Sequence, residues 1–107
     1  MPLDLNEARK EQLIEVMSAE LAVLRAKAGI SQEELSKSIG LSRQTVQTIE
    51  AGKRKMTWRT YLALLLFFDY NALTHDMLRN LNVFPREFQD AKQLLQTQNA
   101  AQGGTEQ

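Results

Sequence analysis

The sequence contains no cysteine. That excludes disulfides and thiolate metal sites and suits a reducing compartment, so a cytoplasmic protein is expected. Long apolar runs are missing too. The longest, Tyr61 to Phe68, is eight residues, far short of the roughly 20 that a membrane-spanning helix needs. The opening stretch MPLDLNEARK mixes acidic and basic side chains without an apolar segment, so no secretory leader is expected. Strand-like alternation is nearly absent, and no internal repeat stands out. Histidine occurs once, at His75, with no set of further ligands, which argues against a metal site. Nothing resembles a nucleophile elbow or a paired-carboxylate site. Neither an enzyme nor a cofactor is expected.

Net charge is absent as well: thirteen Lys+Arg balance thirteen Asp+Glu. The balance hides an uneven distribution. Between Arg25 and Arg59 stand eight cations (Arg25, Lys27, Lys37, Arg43, Lys53, Arg54, Lys55, Arg59) and three anions (Glu33, Glu34, Glu50), a net of +5, leaving −5 for the rest. A neutral chain has gathered its positive charge in its middle third. With 107 residues, 43% hydrophobic and 24% charged, the chain is expected to form one soluble domain around one core.

What is present is helical spacing. Ile14, Met17, Leu21, Leu24 and Ala28 recur on one face of a long first helix, with Asp4 or Asn6 as candidate caps and Gly29 as its stop. Ser31 opens SQEE, a capping box in which Ser31 and Glu34 satisfy each other's backbone amides. A short second helix, with Leu35 and Ile39 on one side, ends at Gly40. Ser42 then caps a third, whose apolar side is Val46 and Ile49 and whose end is Gly52. Thr57 caps a fourth, apolar around most of its circumference. Leu73, Met77, Leu78 and Leu81 suggest a fifth helix with Thr74 as candidate cap. Pro85 suits the first turn of a sixth carrying Phe84, Phe88, Ala91 and Leu95. The expected fold is all-α, a five- or six-helix bundle with an extended N-terminal helix and additional C-terminal helices. One domain is expected over 1–97, with its core at 21–68 and C-terminal helices at 73–97. Residues 98–107 lack apolar anchors and read as a disordered tail.

Residues 31–52 hold the informative constellation. Two helices this short are not stable alone, so Leu35, Ile39, Leu41, Val46 and Ile49 must share one core. That leaves Ser42, Arg43, Gln44, Gln47 and Thr48 on the other side of the third helix. The pattern resembles the lambda-repressor/Cro-like (Xre-like) helix-turn-helix family. Counted from Gln32, apolar residues occupy positions 4, 8, 10, 15 and 18 and glycine position 9, as that family's pattern requires. Position 5, usually alanine, is Ser36, a mild departure. The resemblance covers about Leu24 to Leu66.

The resemblance implies a DNA-binding regulator, most simply a repressor. The first turns of the third helix would read bases through Ser42, Arg43, Gln44, Gln47 and Thr48. Arginine suits guanine O6/N7 and glutamine adenine N6/N7 in the major groove. Gln32, Lys53, Arg54, Lys55 and, more weakly, Arg59 would meet phosphates. Arg25 lies within the apolar stripe of the first helix and Glu50 at the edge of the third. The family pairs an arginine and a glutamate at these positions, so an ion pair is expected. Each residue also has a plainer role. Ser31 and Ser42 are helix caps first, the Lys-Arg-Lys run is ordinarily a solvated loop, and Trp58 belongs to the core. The apolar fourth helix must be covered by its neighbours or by a second subunit, and a homodimer on a near-palindromic operator is expected. Two alternatives remain open: the antitoxin of a toxin–antitoxin pair, or a protein-interaction module of anti-repressor type.

Overall fold

The computed structural model describes residues 5–89. Among these residues there is no strand. The helices are α1 (Glu7–Ala28), α2 (Gln32–Ile39), α3 (Arg43–Glu50), α4 (Trp58–Tyr70) and α5 (His75–Asn80). A further helical stretch begins at 86–89, after a buried Pro85. Asp4, Ala91, Leu95 and the tail expected over 98–107 lie outside the described residues.

The first four helices begin where the sequence offers a side-chain acceptor. Asn6 Oδ1 accepts from the Arg9 amide at 2.8 Å. Ser31 Oγ accepts from the Glu34 amide, and Glu34 Oε1 accepts from the Ser31 amide, which completes the capping box. These bonds hold the Glu34 carboxyl below its ordinary range. Ser42 caps α3 through the Thr45 amide, and Thr57 caps α4 through the Thr60 amide, each at 3.1 Å. Such caps contribute about 1 kcal/mol each by satisfying amides that have no intrahelical partner.

α1 buries Leu13, Ile14, Met17, Leu21 and Leu24 against the rest of the molecule. α2 and α3 form the most closely packed pair of helices. Gly40 turns the chain between them at φ 74°, a left-handed backbone that any side chain would strain. Leu35, Val46 and Ile49 close the shared core, with Ile39 and Leu41 packed at its edge. Ser36 is 3% exposed, and its hydroxyl donates to the Glu33 carbonyl at 2.7 Å. The polar atom is therefore satisfied within its own helix, so serine is accommodated at this buried position.

α4 lies across α1 and α2. Its Tyr61, Leu64, Leu65 and Phe68 are buried, and the Tyr61 hydroxyl donates to the Val83 carbonyl at 2.8 Å. Burial pushes that phenol above its ordinary pKa. Trp58 stacks on Tyr61 with ring centroids 4.7 Å apart, which places it at the core's margin. Coverage of α4 is only partial. Leu62, Leu66 and Tyr70 keep a stripe open on its outer side, Leu66 at 71% and Tyr70 at 92% exposure.

The C-terminal part departs from the expectation at two residues. Thr74 occupies the position before α5 but makes no capping bond. Its backbone is helical rather than extended, and its hydroxyl donates backwards to the Phe68 carbonyl at 2.6 Å, closing the end of α4. Leu73, expected on the apolar face of α5, is outside the helix and exposed. Leu78 and Val83 supply the buried contacts instead. The stretch at 86–89 is tied to the start of α1, where Arg9 makes a two-pronged bond to Glu87 at 2.7 and 3.0 Å. That bond holds the Glu87 carboxyl below its ordinary range.

Candidate nucleic-acid interface

The interface is built outward from the ion pair that seats α3. Arg25 Nε lies 2.8 Å from Glu50 Oε2 and Arg25 Nη2 lies 3.2 Å from Glu50 Oε1. Arg25 Nη1 also donates to the Ile30 carbonyl at 3.0 Å. One guanidinium thus ties the end of α1, the turn before α2 and the end of α3. The hydrogen bond to Glu50 raises the Arg25 pKa further. Glu50 is the more enclosed partner, its side chain 8% exposed against 22% for Arg25. Gln32 completes the cluster by donating its amide to Glu50 Oε1 at 3.0 Å. Residue 32 is therefore engaged with the end of α3, with one amide hydrogen left over.

With its apolar side and C-terminal end fixed, α3 turns its polar side outward. Arg43, Gln44 and Gln47 are exposed, and among the described residues their side chains make no hydrogen bond. Ser42 is exposed but occupied as the cap, and it shares a 2.8 Å bond with the Thr45 hydroxyl. Thr48 is half-buried, and its hydroxyl bonds to the Gln44 and Thr45 carbonyls, both at 3.0 Å. Its donor is therefore spent within the helix, and its methyl group and oxygen lone pairs remain.

The loop after α3 is shaped by Gly52, at φ 73°. The Lys53 and Arg54 amides both donate to the Thr48 carbonyl, at 3.0 and 3.2 Å, which folds the cations back beside the helix. The three then diverge. Lys53 is exposed and, among the described residues, has no side-chain partner. Arg54 Nη1 reaches the Thr45 hydroxyl at 3.5 Å. Lys55 Nζ lies 2.8 Å from Glu11 Oε1 on α1. Arg59 is exposed in the first turn of α4.

Two residues had no role in the sequence pattern. Thr45 joins the cap of α3 to Arg54; its place three residues after Ser42 was the available signal. Glu11 pairs with Lys55 across 44 positions of sequence, which only the tertiary fold reveals. Among the described residues, no three side chains come together in a way that could hold a metal ion. No helix among them is long and apolar enough to cross a membrane.

Two short helices joined by a glycine turn, the second exposing uncharged polar and cationic side chains beside a basic loop, define a helix-turn-helix domain. The chain belongs to that family: a family model described as a helix-turn-helix domain matches residues 16–72, more than half of the sequence. Membership points to a DNA-binding regulator, in a family that is typically not enzymatic. No curated protein and no solved structure matches the chain.

Proposed function

We propose that this protein is a sequence-specific transcriptional regulator that inserts α3 into the major groove and represses by occupying its operator. The observation that carries this is the exposed, unpartnered trio Arg43, Gln44 and Gln47 on a helix whose other side and far end are fixed. Base edges are recognised by hydrogen bonds from rigidly presented donors and acceptors, and arginine and glutamine can each bond a purine bidentately. Lys53 and Arg54 beside them suit phosphate, which fixes register without reading sequence. Thr48 is best suited to a thymine methyl, since its hydroxyl donor is already used.

A homodimer on a near-palindromic operator fits this function. Two copies of α3 would lie about 34 Å apart, one turn of DNA. The open stripe of Leu62, Leu66 and Tyr70 supports association of some kind. The same stripe favours a second function, neutralisation of a protein partner in the manner of an antitoxin or anti-repressor.

Binding of cognate and scrambled duplexes tests the proposal. Gln44→Ala should cost about 1–3 kcal/mol on the cognate site and relax base preference there, while Lys53→Ala should weaken all sequences alike. Equal losses from Gln44→Ala on both duplexes would refute it. Sizing chromatography of the free chain reads the dimer directly.

A further inference from the structure

We propose that Glu11, with Glu15 beside it, is an intramolecular stand-in for phosphate that lowers the affinity of the chain for the DNA backbone of any sequence. This rests on the DNA-binding function proposed above.

Glu7, Glu11 and Glu15 recur every fourth residue on α1 and are all exposed. They precede residue 16, where the family match begins. Glu7 turns to its own helix, with Lys10 at 3.5 Å. The other two are directed at the loop after α3. Glu11 Oε1 meets Lys55 Nζ at 2.8 Å. Glu15 lines a cleft of about 350 Å³ whose opposite wall is the loop from Gly52 to Lys55. The hydrogen bond to Glu11 holds the Lys55 ammonium above its ordinary pKa, with the charges of Glu11 and Glu15 adding to it, and Lys55 holds Glu11 below its own.

A carboxylate and a phosphate oxygen accept the same charge-assisted bond from an ammonium. While Glu11 holds Lys55, one of the cations in reach of the backbone is already neutralised, and α1 sets further negative charge beside Lys53 and Arg54. Both partners of the pair are more than half exposed, at 57% and 59%, so the bond opens readily to water and ions. That makes it a brake rather than a lock. Non-specific binding draws essentially all of its affinity from phosphate contacts, so the brake acts on it in full. The base-reading surface of α3 carries no carboxylate partner and is left untouched.

The test is fluorescence anisotropy of the full chain on cognate and scrambled duplexes of about two helical turns, titrated with salt. Glu11→Gln is expected to tighten both about two- to fivefold, the range of an exposed ion pair. It should also steepen the slope of log affinity against log salt by up to about 0.9, the increment of one freed phosphate contact. In a Lys55→Ala background the same substitution should change neither. Unchanged or weaker binding by Glu11→Gln, with wild type bound to DNA, overturns the brake and leaves the DNA-binding function standing. A chain that binds neither duplex in any variant overturns both.

Discussion

Arg25 and Glu50 show at the scale of single residues how a small helical core accommodates charge. Taking an ion out of water costs several kcal/mol unless a partner and further hydrogen bonds compensate. Here Glu50 accepts three hydrogen bonds, two from Arg25 and one from Gln32. Removing the carboxylate strands the guanidinium at the junction of α1, α2 and α3. Glu50→Ala should therefore cost about 2 kcal/mol, which for a domain of this size lowers Tm by roughly 8 °C. Thermal unfolding monitored by circular dichroism measures it, and an unchanged Tm would mean that the pair does not hold α3. Neither Arg43 nor Gln44 has such a partner, so substitutions there should spare stability while altering base preference. This separation distinguishes a residue that seats the helix from one that uses it.

At the scale of elements, the helix boundaries legible in the sequence were those settled within four residues. Ser31 with Glu34, Gly40, Ser42 and Thr57 each act on a neighbour on the same turn, so their type and spacing carry the information. Thr74 shows the limit. Its position before an apolar run resembles an N-cap, yet capping needs an extended backbone, and here the tight link after α4 leaves it helical, at φ −113° and ψ −7°. The hydroxyl turns to the Phe68 carbonyl instead. Thr74→Val should cost about 1–2 kcal/mol in urea unfolding, because it leaves a buried carbonyl without its donor. Thr74→Ser, which keeps the hydroxyl, should cost less. Equal stability of the Val variant and wild type would show that the bond contributes nothing. Leu73 escaped the expectation for a related reason: periodicity alone does not mark where a six-residue helix begins.

At the scale of the whole molecule, the neutral total charge concealed two opposed surfaces. Arg43, Lys53, Arg54 and Lys55 stand on α3 and the loop after it, while Glu11 and Glu15 of α1 stand at the loop's edge. The motif was legible because its apolar positions and glycine follow a fixed spacing. Which polar side chains stand free was not, since the Lys55 ammonium is answered by a residue 44 positions away and the Gln32 amide by one 18 away. The same holds for α4, whose apolar circumference announced that something must cover it without saying how much. α1, α2 and α5 cover part of it, and Leu66 and Tyr70 stay open.

The central claim is that α3 reads base sequence. Selection of bound duplexes from a random pool by the full-length chain tests it most directly. Base reading by α3 predicts enrichment of one motif rich in the guanine and adenine contacts suited to Arg43 and Gln44, repeated with two-fold symmetry about 10 bp apart. Recovery of unenriched sequence, or of no DNA at all, would contradict it.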